Sequence, residues 1–210
     1  LQLANEFSFD QYGASTFFTS PFPDQLRWRV GMRPFHERVY DVPNDMILGP
    51  DDRGTRFYNI LNTEVIYDSR DDRFNPRSGS RASLAFDASD RLIGSEAHYL
   101  GVRLDYSFYT ALSEKTVWAN RARGWLLEPF EDTDLIPLNR RIFLGGRNTL
   151  RGYDLNKVGP QGFLGNYVGG DVAYVINSEM RYDLSTNLLG VVFFDTGQME
   201  LRNKGDFNGR

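Results

Sequence analysis

Cysteine is absent from the 210 residues, and that absence removes disulfides, thiolate nucleophiles and cysteine-held zinc together. Histidine occurs only twice, as His36 beside Pro34 at a strand end and His98 on the apolar phase of a strand. Neither has the sequence neighbour of a nucleophile–base pair, so no catalytic residue is expected. Two isolated histidines do not make a metal site, and the acidic clusters Asp51-Asp52, Asp71-Asp72 and Glu131–Asp134 match no EF-hand spacing. These acids read as solvated loop charges, with weak divalent-ion or lipopolysaccharide bridging as the second reading; no metal or cofactor is expected. Lysine is scarce, 3 against 21 arginines, a bias that suits planar, paired contacts. A net charge of −4 argues against a globally basic nucleic-acid binder, so no nucleic-acid partner is expected. No run reaches the roughly 18 apolar residues of a membrane-spanning helix; the longest, such as Leu188–Phe194, suffice for a strand. Leu1 to Asp10 carry no charged leader, apolar stretch or cleavage site, so an exported protein of this sequence would be an interior piece. No low-complexity segment or linker divides the chain, and 1–210 reads as a single domain.

What the chain has is alternation of period two, the mark of strands. In Glu96–Leu112, Leu100, Val102, Leu104, Tyr106 and Phe108 take one face and Arg103, Asp105 and Ser107 the other. Over 167–184, Val168, Val172, Tyr174, Ile176, Met180, Tyr182 and Leu184 alternate with Asp171, Asn177, Glu179, Arg181 and Asp183. Leu26, Trp28, Val30 and Met32 oppose Arg27, Arg29 and Arg33, and weaker alternation marks Leu3–Phe18, Thr55–Tyr67, Ser80–Asp90, Thr116–Leu127 and Leu188–Met199. That makes about eight strands, several long enough to cross a bilayer when tilted. Alternation alone fits a soluble sandwich too. The mixture of Arg with Asp and Glu on the polar phase suits a wet, ion-paired lumen, and the Tyr, Phe and Trp of the apolar phase suit interfacial girdles. An all-β antiparallel transmembrane barrel is therefore the expected fold.

Pro43–Gly54, Asp71–Gly79 and the acidic Glu128–Asn139 read as connections. Arg140–Asn166 is different: Gly145, Gly146, Gly152, Gly159, Gly162 and Gly165 are mixed with Ile142, Phe143, Leu144, Leu150 and Tyr153. A long loop with its own apolar content is expected to pack onto something and to function. It is no phosphate-binding P-loop, since it has neither that motif's Lys nor its helix.

Arg141-Ile-Phe-Leu-Gly-Gly-Arg-Asn-Thr-Leu-Arg-Gly-Tyr-Asp154, followed by Val158-Gly159-Pro160, resembles the Leu-Arg-Gly-Tyr loop of the BamA/TamA superfamily of outer-membrane assembly and translocation barrels. Two other segments agree in order: Tyr67-Asp-Ser-Arg-Asp-Asp-Arg-Phe-Asn-Pro-Arg-Ser-Gly79 with the family's strand–turn–strand, and Val192-Phe-Phe-Asp-Thr-Gly197 with its late Phe-x-Asp-x-Gly strand. The resemblance implies a sixteen-stranded barrel, of which this chain would hold about eight central-to-late strands, with the loop 140–166 inserted in the lumen. Periplasmic POTRA domains would precede it, and the aromatic-ended terminal strand signal is not found at Asn208-Gly-Arg210. A free-standing eight-stranded barrel is the rival, but its lumen would be filled by side chains and leave no room for such a loop. The implied activity is non-enzymatic: folding and inserting barrel proteins, or passing polypeptide across the outer membrane. A passive pore or structural barrel is the alternative from another class. The implied partners are the outer-membrane bilayer, unfolded outer-membrane or secreted polypeptides, and accessory subunits reached through POTRA domains; the location is a bacterial outer membrane ahead of an organellar one.

The resemblance also assigns a site. Arg151 takes the place of the family's loop Arg, which folds into the lumen, and by motif position its partners would be Glu179 and Asp195. Glu179 shares the polar lumenal phase independently of any resemblance, whereas Asp195 shares a face with Leu189, Val191 and Phe193, which can pack the loop's apolar residues. A carboxylate on such a face requires a cation, and the Arg fork can hold two carboxylates. Gly152 would permit a tight backbone beside it and Tyr153 would wedge against the ion pair. Gly145, Gly146, Leu150, Gly159 and Pro160 complete the loop motif.

Overall fold

The structure is a computed structural model that describes residues 7–21, 25–44, 46, 48–49, 52, 54–185 and 187–202. Its nine strands are β1 (Ser8–Gly13), β2 (Thr16–Pro21), β3 (Leu26–Tyr40), β4 (Thr55–Asp68), β5 (Gly79–Ser89), β6 (Tyr99–Ala111), β7 (Thr116–Pro129), β8 (Val172–Ser185) and β9 (Leu188–Glu200). They form one antiparallel sheet in the order β1-β3-β4-β5-β6-β7-β8-β9, with β2 also paired to β3. Among the described residues the sheet is open, with β1 and β9 at its edges. Residues 3–6 of the expected first strand, and the chain end at 208–210, lie outside the described residues. The remainder of that first strand is broken into β1 and β2 at 14–15, opposite Pro34, whose nitrogen has no proton for the ladder. Two expected strands start later than their alternation implies, at Tyr99 rather than Glu96 and at Val172 rather than 167. Val168 belongs instead to the loop and is fully buried there.

Which face is covered separates a barrel wall from a sandwich. On β6, Leu100 and Leu104 are 52% and 49% exposed while Tyr99 and Ser107 on the other face are buried. The register continues this sideways, aligning Leu104 with Leu84 and Gly124, and Asp105 with Ser83 and Arg123. Exposed apolar residues outside and charged residues inside invert the pattern of a water-soluble sheet and match a transmembrane wall with a wet lumen. Short turns join β6 to β7 and β8 to β9, and residues 69–78 join β4 to β5 at the same end, whereas β3 to β4, β5 to β6 and β7 to β8 connect at the other end, the last of these by much the longest span. The 42-residue span between Pro129 and Val172 joins the expected connection, of which Glu128 and Pro129 instead end β7, to the glycine-rich stretch, and it folds onto the inner face. Its Ile142, Leu144 and Leu150 pack on Ala173 and Val175 of β8 and Met199 of β9. Its Ile136 packs on Phe35, Tyr58 and Ile60 of β3 and β4. The loop thus spans the sheet from one side to the other.

Candidate functional site

The root of the loop is tied by two arginines. Arg141, its side chain wholly buried, donates from Nε to the Ile136 carbonyl (2.8 Å), from Nη1 to the Val168 carbonyl (3.0 Å) and from Nη2 to Asp52 (3.4 Å). Burial pushes this guanidinium down to about 10, with Asp52 opposing, so it stays charged at neutral pH. Asp52 in turn accepts from the backbone N–H groups of Gly49 and Leu138. Beside it, Arg140 and Asn139 both donate to Glu37, a buried carboxylate on the inner face of β3. The hydrogen bonds replace the water these charges lose, as a buried charge requires.

The tip is tied to the opposite side. Gly145 (φ 116) and Gly146 (φ 82) have left-handed backbones, and a Cβ on Gly145 would fall 2.2 Å from the Asp154 carbonyl, so glycine is required there. The Thr149 hydroxyl closes the turn by bonding both the N–H and the carbonyl of Gly145 at 2.8 Å. With Leu150 buried in the wall cluster, Arg151 points at β8 and β9. Its Nε and Nη2 grip the two oxygens of Asp195 at 2.8 and 2.7 Å, its backbone N–H adds a third bond at 3.0 Å, and its Nη1 reaches Glu179 at 2.7 Å. The side chains of Arg151, Glu179 and Asp195 are 23%, 18% and 6% exposed. Hydrogen bonding to Asp195, then to Glu179, raises the Arg151 pKa further. Arg181 donates to the other oxygen of Glu179, and Asn177 bridges the Thr149 carbonyl and Asp195 at 2.8 Å each. Phe193 lies under the guanidinium with its ring centre 3.8 Å away, a cation–π contact. The apolar face shared with Asp195 therefore receives the cation at that position.

The structure thus brings Arg151, Glu179, Asp195 and Leu150 together but corrects two expected roles. Gly152 is not where the backbone is tight: its φ is not left-handed and a Cβ would meet open space. Within the motif the tight glycines are Gly145, Gly146 and Gly159, the last (φ 122) with a Cβ position 2.2 Å from Met199 Cε. Tyr153 is not buried as a wedge: the residue is 60% exposed and lines a groove beside β9 together with Lys157, Tyr167 and Asp195. The Pro160 carbonyl accepts from the Val168 N–H at 3.1 Å. Sequence reasoning missed Arg141, Arg140, Glu37 and Asp52 as tether residues. A signal existed for Glu37, which continues the odd-numbered inner phase of Arg27, Arg29 and Arg33 past Pro34.

The Tyr67–Gly79 segment supplies a third tether at the short-turn end. The Asp71 carboxylate accepts from the N–H groups of Arg77 and Ser78, and Asp72 accepts from those of Phe74 and Asn75. Backbone bonds from Ser78 to Asp71 and from Asn75 to Asp72 hold both carboxyls below the usual range. The turn so shaped sends Arg77 to Asp183 at the end of β8 (3.0 Å) and to the carbonyls of Ser113 and Glu114 in the β6–β7 turn. His98, expected on the apolar phase of its strand, is buried with Nδ1 3.4 Å from Glu131. Among the described residues no group of three or more His, Asp or Glu is placed to hold a metal ion.

Compared with known proteins, residues 2–209 match the model of the Omp85 superfamily domain. The chain is 23% identical over 208 residues to the outer membrane protein assembly factor BamA of Nitratidesulfovibrio vulgaris strain Hildenborough, covering 97% of this chain and 26% of that protein. Its fold is similar to the crystal structure of BamA from Haemophilus ducreyi lacking POTRA domains 1–3, with a TM-score of 0.80 at 19% identity over 92% of this chain and 42% of that one. The chain therefore spans about a quarter of the curated relative and less than half of the solved one.

Proposed function

The chain belongs to the Omp85 superfamily, and from that premise we propose that it is part of the wall of an outer-membrane barrel that inserts barrel proteins into, or passes polypeptide across, a bacterial outer membrane. The observation that carries the reading is the Arg151 constellation on an inverted sheet: a long loop folded into the lumen and tied to β8 and β9 by one guanidinium and two carboxylates. A passive pore needs only a wall. A loop bonded to the wall at both root and tip can hold its curvature while strands elsewhere part. In this reading no covalent chemistry occurs. Clients add as strands to exposed N–H and C=O rows, and accessory subunits bind through periplasmic domains outside this chain. The similarity to a named assembly factor supports the choice of clients.

The test is complementation: cells depleted of their own assembly barrel receive the full-length gene containing this sequence, and the levels of folded outer-membrane proteins are followed. Rescue by the wild type, with loss in Arg151→Ala, supports an assembly role. Failure of the wild type to rescue, together with ordinary pore conductance in planar bilayers, would favour the passive barrel.

A further inference from the structure

Between the loop tip and the wall of β7 and β8 lies a cavity of about 440 Å³ whose lining carries Arg121, Arg123, Arg147, Arg151 and Arg181. Three of the five have carboxylate partners. Arg121 takes both oxygens of Asp105 (2.9 and 2.5 Å), while Arg151 and Arg181 take Asp195 and Glu179. Neither Arg123 nor Arg147 has a carboxylate within ion-pair distance among the described residues, although Asp105 and Asp195 act on Arg123 from farther away. Arg123 spends one Nη on the Asn177 amide oxygen at 2.8 Å and rests against the Trp125 ring at 5.6 Å, leaving its buried Nε without any partner among the described residues. Arg147, exposed at the loop tip, lines the same space. Five guanidinium groups thus face three carboxylates, a surplus of two cations across one lumenal cavity.

We infer that Arg123 and Arg147 form a carboxylate-binding site that receives acidic side chains of a polypeptide within the lumen. This rests on the reading that the barrel handles polypeptide. The guanidinium fork matches planar oxyanions two bonds at a time, and every other arginine on this cavity is already satisfied by a carboxylate. The second Nη of Arg123 and the Arg147 guanidinium make no bond within the protein among the described residues, so they are the donors that an acceptor entering the cavity would meet. The site lies beside the lock, because Asn177, which accepts from Arg123, also donates to Asp195. An entering carboxylate that draws Arg123 away would be felt at the Asn177–Asp195 bond, linking occupancy of the lumen to the hold on the loop.

The full-length protein in lipid nanodiscs, titrated with a fluorescent hexaglutamate peptide and a hexaglutamine control, tests this by anisotropy. Arg123→Gln, Arg147→Gln and the double variant are compared after heat-modifiable gel mobility has shown that each is folded. Expected is saturable binding of hexaglutamate alone, weakened about tenfold or more in the double variant as charge-assisted bonds are removed. Equal binding by wild type and double variant overturns the inference. Displacement of the peptide by an equal concentration of inorganic phosphate also overturns it, by assigning the site to free anions. Arginine-dependent peptide binding in a protein that fails complementation would leave this site standing while removing the assembly function. Successful complementation without such binding would do the reverse.

Discussion

The two ends of the sheet are both tied across hairpins by arginine, yet in different environments. Within the long loop, Arg151 meets an Asp195 only 6% exposed in the middle of β9, and at the loop root Arg141 meets Asp52 with both side chains out of water. At the short-turn end Arg77 meets Asp183 with side chains 31% and 42% exposed. The same residue pair is worth different amounts in the two places. An exposed pair returns to water at little cost, whereas breaking a buried pair leaves a carboxylate that has lost its hydration. The loop end is therefore where substitutions should be felt, and the short-turn end is its internal control.

The sharpest break in that contrast should come from Arg141→Ala, which removes the cation beside Asp52 and the donor of the Ile136 and Val168 carbonyls and should cost about 4 kcal/mol, read as a shift in the urea midpoint of heat-modifiable mobility. An effect no larger than that of an exposed pair would remove the distinction between the ends. The wall that both ends share supplies the next prediction. Leu104→Arg places a cation on the exposed apolar face and should cost about 2–4 kcal/mol near the bilayer midplane. Asp105→Asn on the inner face loses one ion pair and should cost about 1 kcal/mol. Equal costs would argue that the apolar face does not meet acyl chains. Arg77→Ala at the short-turn end should stay within about 1 kcal/mol in the same urea assay, and a larger loss would mean that the turn is held as firmly as the loop. The smallest effect concerns pH. Backbone N–H bonds lower the folded-state pKa of Asp71 and Asp72, so their stabilisation is fully present above the unfolded carboxylate value of about 4 and is lost as pH falls through the lower folded value. Hydrogen exchange at the Arg77 and Ser78 amides, corrected for intrinsic rate, should stay slow down to about pH 4 and quicken below it; quickening already near neutrality would contradict the assignment.

The contrast also explains what could be read in advance. Strand phase was legible because a half-buried wall forces period two on every strand, so the faces of Leu104 and Asp105 follow from counting. The break at 14–15 was not, since it answers to Pro34 on the neighbouring strand. At the loop tip, Arg151 and its two acceptors could be named because a motif and the β8 phase point to them. The root could not: Arg141 and Asp52 are 89 residues apart and Arg140 and Glu37 are 103 apart, with nothing local linking either pair. Adjacency to Arg151 gives Gly152 a backbone role, whereas the left-handed torsions of the loop fall at Gly145, Gly146, Gly159, Gly165 and Gly169. Residue order names which side chains occur together; which glycine must turn depends on contacts with Asp154 and Met199 that only the folded loop creates.

The account turns on whether the Arg151 guanidinium and the Asp195 carboxylate act as one unit, and a double-mutant cycle in the full-length protein measures this directly. Arg151→Ala, Asp195→Asn and the double variant are compared by the urea midpoint of heat-modifiable mobility. With 23% of the Arg151 side chain still exposed, Arg151→Ala alone should cost about 3 kcal/mol, the lower end for a buried pair. In the Asp195→Asn background its effect should shrink by more than about 1 kcal/mol. Additive effects of the two substitutions would contradict the lock.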